Sequence, residues 1–200
     1  MRSILRAAAL LVAAALPCSA QVSTWQIDAA HSAAQFSVRH LMISNVRGEF
    51  HKLAGTLQLD EKDITKSSIE VTIDATTVDT REEKRDNHLK SADFLDVASF
   101  PTMTFKSKSV STAGEGRLKV TGDLTLRGVT KEVVLEVDGP TPAIKAGNRT
   151  LRGVSATTKI NRKDFGVNWS RALDGGGVVV GDEVSITLDV EFVQKAPSGS

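Results

Sequence analysis

A strict alternation of apolar and polar residues constrains this chain more than any other feature of its sequence. The alternation is clearest in three segments, which read VSITLDVEF at 184–192, LKVTGDLTL at 118–126 and IEVTIDA at 69–75. Shorter examples cover residues 25–27, 34–40, 53–59, 103–105, 133–137 and 154–160. Because side chains two residues apart share one face of a strand, each segment predicts a strand with one dry and one wet face.

Strands of this kind are typical of antiparallel sheet, since strands of a parallel sheet are covered on both faces. Turn-forming pairs such as Arg127-Gly128 and Asp138-Gly139 separate the segments. The chain is therefore predicted to be all-β, with eight to ten strands. The alternation alone leaves both a sandwich and a closed barrel open.

One segment departs from this strand pattern. Thr80 followed by Glu83 has the spacing of a capping box, in which the two side chains satisfy backbone amides at the start of a helix. Leu89 and Leu95 then fall on one helical face. The sequence thus predicts one short helix near residues 81–96, lying across a barrel end or against a sheet face.

The first twenty residues have the features of a cleavable export signal. Two arginines precede an apolar run at 7–16, which is shorter than the ~20 residues needed to span a bilayer, and small residues precede the cleavage point. Lipid attachment at Cys18 is the alternative, but Pro17 stands where that reaction favours a small residue. We expect a periplasmic protein with a signal peptide at 1–20, one domain at 21–195 and a flexible tail at 196–200.

Cleavage would remove the chain's only cysteine and two of its 25 basic residues, which leaves a formal net charge of −1 against 24 acidic residues. Without a thiol, the mature chain cannot form disulfides, thiol nucleophiles or zinc–cysteine sites. No basic stripe is present, so neither a nucleic acid nor an anionic membrane surface is an expected partner. No second apolar stretch approaches spanning length, so an integral membrane protein is not expected.

The four histidines carry little signal for chemistry. His31, His40, His51 and His88 lack metal-ligand spacing, so a metal or haem carrier would need them to converge through the fold. Asp86 and His88 are two residues apart, and on a helix such side chains point about 200° away from each other. The enzyme alternative is a hydrolase of a small lipid or ester with His40 or His88 as base, although no G-x-S-x-G motif supplies a nucleophile.

Two residues are stronger candidates for contact with a ligand. His40 continues the alternating set of Phe36 and Val38, so it faces inward if they do. It is then either a satisfied core histidine or a polar group that bonds a ligand in an apolar cavity. Arg162 lies in the charged segment 161–166, which we interpret as a hairpin region, with an anion contact as the functional alternative.

Several short motifs follow one another along the chain. They are W-x-I-D-x-x-H-S at 25–32, F-x-V-x-H at 36–40, G-x-F at 48–50, R-D-x-H-L at 85–89, F-P-x-x-T-F at 100–105, G-x-L-T-L-R-G-V-T-K at 122–131 and N-R-x-D-F-G at 161–166. Each motif is weak alone, but together they span nearly the whole mature chain. In this order they resemble the YceI family of bacterial periplasmic, polyisoprenoid-binding, lipocalin-like proteins.

The resemblance implies an extended antiparallel lipocalin-like barrel of about eight strands around a long isoprenoid or similar lipid. It implies no catalytic residues, no metal and no cofactor besides the bound lipid. The residues expected to contact the ligand are Phe36, Val38, His40, Phe50, Phe105 and Arg162. The expected function is a non-enzymatic carrier of a polyprenyl or quinone-like lipid in the periplasm, and a homodimer is one oligomeric state that the sequence leaves open.

Overall fold

The computed structural model describes residues 22–196. The expected signal peptide and residues 197–200 of the expected tail lie outside the described residues. The strands are β1 (Val22–Ile27), β2 (Ala33–His40), β3 (Ser44–Phe50), β4 (Leu53–Asp60), β5 (Ser68–Asp74), β6 (Val78–Asp79), β7 (Thr102–Thr112), β8 (Arg117–Leu126), β9 (Val129–Asp138), β10 (Ile144–Ala146), β11 (Arg149–Asn161) and β12 (Val180–Gln194). One α-helix, α1 (Glu83–Lys90), and four short 3-10 turns complete the described elements.

The strands form one antiparallel sheet that closes into a barrel. Closure occurs at β12, which pairs with β11 on one side and with β1 and β2 on the other. Several of these strands are two pieces of one longer strand. β1 and β2 both pair with β12, and β9 and β10 both pair with β11. In the same way β4 and β3 pair with β1 and β2, and β5 and β6 pair with β4 and β3. Eight long strands therefore run up and down in chain order, which confirms the expected eight-stranded barrel and rules out the sandwich.

Every segment with the alternating pattern forms a strand, except that Ala75 already belongs to a 3-10 turn. Three other strands carry too little pattern to be predicted. In β3, Ser44 and Gly48 occupy inward-alternating positions beside Val46 and Phe50, which weakens the apolar period. β6 and β10 have only two and three residues, too few to show any period. These strands form because a long neighbouring strand supplies their hydrogen bonds.

The predicted helix exists but is half as long as expected, and the predicted capping box is wrong. The Glu82 carboxylate caps the helix by accepting from the amides of Lys84 and Arg85. Arg81 has φ of 65°, a left-handed conformation that turns the chain away from Thr80 before the helix begins. After Lys90 the chain continues in turns rather than in a helix.

The two buried apolar clusters lie at one end of the barrel, the closed end. One buried cluster there contains Trp25, Leu57, Leu59 and Phe192. The adjoining cluster contains Val110, Leu118, Val120, Val137 and Ala156, and Ile64 and Ile69 pack against both clusters. The opposite end, where α1 lies, has no comparable cluster among the described residues, so the two ends of the barrel differ in how densely their apolar side chains cluster.

Candidate functional site

The interior of the barrel is hollow. A cavity of about 600 Å³ is lined almost entirely by apolar side chains of the barrel strands, and its volume falls in the range of small-molecule sites. Inward-facing side chains such as Phe36, Val71, Leu124 and Ile186 line it and remain half-buried. In a close-packed core such side chains would be almost fully covered by one another. The alternation therefore builds a wall around a space rather than a solid core.

Two glycines allow aromatic rings to lie against this wall. A Cβ at Gly48 would come within 2.5 Å of Phe36 Cζ, on the directly paired strand. A Cβ at Gly122 would come within 2.5 Å of both Phe105 Cζ and the Lys106 carbonyl oxygen. Real Cβ atoms do not tolerate such distances, so each ring occupies the space of the missing side chain. The rings thus cover the backbone of a neighbouring strand and leave the lumen open.

The closed end seals the cavity with aromatic and aliphatic packing. Trp25 and Phe192 are each only 1% exposed, and the Trp25 indole donates to Ser23 Oγ at 2.8 Å. The Arg152 guanidinium lies over the Trp25 ring at 5.1 Å, a favourable cation–π arrangement. Its Nη2 also donates to both carboxylate oxygens of Glu61 at 2.9 Å. This packing closes one end of the barrel and leaves the α1 end as its open end.

At that open end, which we call the mouth, α1 and the segment around residue 169 meet over the cavity. The His88 ring packs edge-on against Phe94 at 4.9 Å and against Trp169 at 5.1 Å, and all three residues line the cavity. Arg127 ties the two segments together, because its Nη2 donates to Ala92 O at 2.7 Å and its Nη1 to Gly166 O. The mouth is thus bordered by aromatic rings whose two backbone segments are held together by Arg127.

All six residues expected to contact the ligand line this one cavity: Phe36, Val38, His40, Phe50, Phe105 and Arg162. The Phe36 and Phe50 rings are 5.7 Å apart, on paired strands. His40 lies half-buried at the end of β2, so it faces the cavity like Phe36 and Val38. The fold therefore brings the six together, and their contact with a ligand stays a prediction.

Arg162 is primarily bound to the protein itself. Its Nε donates to Gly181 O at 2.8 Å, and its Nη1 donates to Val167 O at 2.6 Å and Trp169 O at 2.8 Å. Its Nη2 is directed to Val180 O and the Asp182 carboxylate. Desolvation lowers the pKa of this guanidinium below its ordinary value, although nearby Asp182 opposes the shift. These bonds use all three guanidinium nitrogens, so an anion contact would have to compete with them.

Residues 161–166 begin the connection between the antiparallel neighbours β11 and β12, as the hairpin interpretation expects, but they are not an ordinary exposed turn. Arg162–Phe165 forms a 3-10 turn in which Arg162 and Phe165 are buried, and Gly166 ends it in the left-handed conformation. The segment folds inward because Arg162 bonds carbonyl groups of the chain that follows it, from residue 167 to residue 181. The sequence shows only a group of charged residues here, which is also typical of exposed turns.

The histidines do not converge. His31 contacts Asp28 and Glu191, the only cluster of three potential metal ligands within residues 22–196, and Arg149 already pairs with Asp28. His51 pairs with Asp79 at 3.1 Å, in a shallow outer groove. The fold thus gives no support among the described residues to a metal or haem site built from several histidines.

Asp86 and His88 point to different partners, as their spacing predicts. Asp86 Oδ1 accepts from the Thr80 amide at 2.9 Å and from the Thr80 hydroxyl at 2.5 Å. His88 Nε2 lies 2.9 Å from the Asp93 carboxylate. Neither His88 nor His40 is hydrogen-bonded to a hydroxyl group of the described residues, so the hydrolase alternative lacks a nucleophile contact as well as a motif.

Sequence reasoning missed three residues at the mouth: Lys84, Arg85 and Trp169. For the first two a signal exists, because residues 84, 85, 88 and 89 share one face of a helix. Trp169 lies in a segment without strand or helix pattern, and only the fold brings it to the cavity.

The single α-helix of the described chain has eight residues, so no helix there could cross a bilayer.

Comparison with known proteins gives consistent matches. The family model of the YceI-like domain matches residues 25–192. A UPF0312 protein of Vibrio parahaemolyticus is 39% identical over 173 residues, which cover 84% of this chain and 89% of that protein. Among solved structures, a YceI protein of Campylobacter jejuni superposes with a TM-score of 0.67 at 30% identity, covering 79% of this chain and 90% of that one. A polyisoprenoid binding domain from Saccharophagus degradans gives a TM-score of 0.61 at 15% identity, with coverage of 88% and 100%, a likeness of fold alone.

Proposed function

This chain belongs to the YceI-like family, and from that membership we propose that its barrel binds the long apolar chain of a polyprenyl or quinone-like lipid and carries it through the periplasm. One observation carries the proposal. The inward side chains of the strands surround a continuous apolar cavity instead of packing against one another. An empty apolar space of this size forfeits dispersion contacts, which a bound hydrocarbon chain would restore.

The size of the cavity suits a chain of several isoprene units. If each non-hydrogen atom needs ~15–30 Å³, a volume of about 600 Å³ accommodates roughly 20–40 atoms. That is four to eight five-carbon units. Burial contributes ~0.8 kcal/mol per carbon, or roughly 4 kcal/mol gross per unit, whereas association costs an estimated 4–15 kcal/mol. One unit therefore barely offsets the cost, and several units give useful affinity.

The proposal assigns no reaction to the protein. The cavity is lined by groups suited to binding, and the fold neighbour from Saccharophagus degradans is described as binding polyisoprenoid, which motivates the choice of ligand class. The export signal expected at residues 1–20 supports a periplasmic location, where an apolar lipid needs shelter from water. The carrier role and the location are parts of this proposal.

The test is to identify what the protein holds. The protein is purified from the periplasm without detergent, extracted with organic solvent and analysed by mass spectrometry, and added long-chain isoprenoids are titrated against tryptophan fluorescence. Trp169 lines the cavity and should be quenched, whereas Trp25 is buried in the closed end. We expect a stoichiometric isoprenoid lipid in the extract. The proposal would be refuted if the extract contained no lipid and added isoprenoids did not bind.

A matched pair of variants locates the binding. Val133 lines the cavity, while its neighbour Val134 is 42% exposed. Val133→Phe fills part of the lumen and should reduce recovered lipid and weaken binding about tenfold, and Val134→Phe should change neither, because it adds its bulk outside the barrel. Equal effects of the two substitutions would place the ligand elsewhere.

A further inference from the structure

The charged residues that line the cavity all have one sign. They are Arg39, Lys84, Arg85 and Arg162, and no aspartate or glutamate of the described chain joins them. This asymmetry is unexpected for a mature chain in which acidic residues slightly outnumber basic ones. A cavity lined by one sign of charge has a potential that favours ligands of the opposite sign.

The helix at the mouth separates its charges by face. Lys84, Arg85 and His88 line the cavity, whereas Glu83 and Asp86 line a shallow groove on the outer side. Residues three or four positions apart share a helical face, so this separation follows from their spacing. The helix thus places Lys84 and Arg85 at the cavity, whereas Lys90 lies in the outer groove with the carboxylates.

Arg85 is held in place by a network that leaves part of its guanidinium available. Its Nε donates to Thr80 Oγ1 at 2.7 Å and its Nη2 donates to Thr80 O at 2.8 Å. Thr80 is 5% exposed and is itself fixed by Asp86. Nη1 has no acceptor within residues 22–196, and the Lys84 ammonium has no carboxylate within ion-pair distance in the same range. These two groups can therefore bind a ligand without giving up a protein contact.

The other two cations of the lining are engaged. Arg39 donates from Nη2 to Met42 O at 2.9 Å and from Nη1 towards Asn45 Oδ1. Arg162 donates to backbone carbonyls through all three nitrogens, as described above. The unsatisfied positive charge of the cavity is therefore concentrated on Lys84 and Arg85, at the mouth.

We propose that Lys84 and Arg85 form a head-group site at the mouth, and that the preferred ligand is a single-chain amphiphile with an anionic head, a phosphate or a carboxylate. The inference rests on the proposed function, because the apolar chain must occupy the cavity for the head to lie at α1. Charge-assisted hydrogen bonds from Arg85 Nη1 and Lys84 Nζ bind the anion. A neutral head gains no charge-assisted bond at this site, so it should bind less tightly than an anion.

The experiment compares three ligands with one isoprenoid chain of equal length: the alcohol, the monophosphate and the carboxylate. Each is titrated against the delipidated full-length mature protein by tryptophan quenching and by calorimetry. We expect both anions to bind at least about tenfold more tightly than the alcohol, or ~1.4 kcal/mol. The preference should shrink as ionic strength rises, whereas binding of the alcohol should not weaken.

Variants assign the preference to its residues. Lys84→Gln and Arg85→Gln should each reduce the anion preference about threefold or more while leaving the Kd of the alcohol within about twofold. Lys90→Gln is the matched control, since it removes a cation of the same helix that does not line the cavity. Lys84 is exposed and makes no side-chain contact that Gln would lose, so its variant decides the question if Arg85→Gln fails to fold.

The outcomes separate the two proposals. Equal affinity for the alcohol and both anions overturns the head-group site and leaves the lipid-binding function standing. An anion preference that survives in both Lys84→Gln and Arg85→Gln overturns the assignment of residues. Binding of none of the three ligands overturns the proposed function itself. Preference for only one of the two anions supports the site and identifies the head group.

Discussion

The substitution Arg162→Met tests whether Arg162 stabilises the fold or binds ligand. Methionine has a similar length and no hydrogen-bond donor, so it removes the guanidinium while retaining apolar packing. The three shortest bonds that it deletes are those to Val167 O, Trp169 O and Gly181 O, at 2.6–2.8 Å. Arg162 is 5% exposed, so at least part of this carbonyl set loses its donor without gaining water.

The magnitude follows from these bonds. A hydrogen bond from a charged donor contributes about 1.5–3 kcal/mol, and a carbonyl left buried and unpaired costs about 1–3 kcal/mol. Removing the buried charge offsets part of this loss, because its desolvation already disfavours the charged state. We expect Arg162→Met to lower the free energy of unfolding by about 3–5 kcal/mol. For a protein of this size, that lowers Tm by roughly 6–20 °C.

The assay is urea unfolding followed by tryptophan fluorescence, with ligand affinity measured on the folded variant. Lys163→Met is the control, since Lys163 makes a surface pair with Asp182 at 2.9 Å that should contribute less than about 1 kcal/mol. A loss below 1 kcal/mol for Arg162→Met would refute the structural role. An unchanged stability with a tenfold weaker affinity would make Arg162 a ligand contact instead.

Three further predictions concern the wall, the capacity and the acid stability of the barrel. Gly48→Ala should displace the Phe36 ring towards the lumen, which lowers the free energy of unfolding by about 1–3 kcal/mol and weakens lipid binding. Gly153→Ala is the control, because a Cβ there meets no atom closer than 3.6 Å and should change neither quantity. Equal effects of the two substitutions would contradict the wall arrangement. In fluorescence titrations with a series of isoprenoid alcohols, affinity should rise with chain length up to four to eight isoprene units and then stay constant. A steady rise beyond eight units, or no dependence on length, would contradict the capacity derived from the cavity volume. Hydrogen bonds from Arg149 and His31 hold the pKa of Asp28 at about 2, below its usual 3.8, so the stabilisation they provide is present above pH 4 and is lost as pH falls towards 2. Arg149→Gln should raise that pKa in an NMR titration and make the stability difference from the parent protein vanish near pH 2; an unchanged pKa would refute this assignment.

Local patterns in the sequence predicted most of the strands because every second side chain of a strand lies on the same face, so a buried face appears as alternation in the sequence. The long segments at 69–75, 118–126 and 184–192 needed no other information. Prediction failed where the pattern was too short, as in β6, or where Gly48 stood at an inward position. The helix was predicted, but its start depended on the left-handed conformation of Arg81, which no spacing rule contains.

The candidate site shows the same division. Phe36, Val38 and His40 could be assigned to one face from their alternation, and the family resemblance suggested Phe50, Phe105 and Arg162. The role of Arg162 could not be predicted, because its carbonyl partners extend from residue 167 to residue 181 and are brought together only by the fold. Lys84 and Arg85 share a helical face with His88 and Leu89, but only the placement of α1 over the mouth shows that this face lines the cavity.

The sequence by itself determined that this chain forms antiparallel strands with one apolar face, and it predicted the family. Alternation states which side chains share a face, but it is the same for a packed sandwich and a hollow barrel. Only the tertiary structure decided that the apolar faces surround a space, through closure between β11 and β12 and through aromatic rings resting on glycines of neighbouring strands. The physical reason is that hollowness depends on distances across the barrel, between residues far apart in sequence, which no local period encodes.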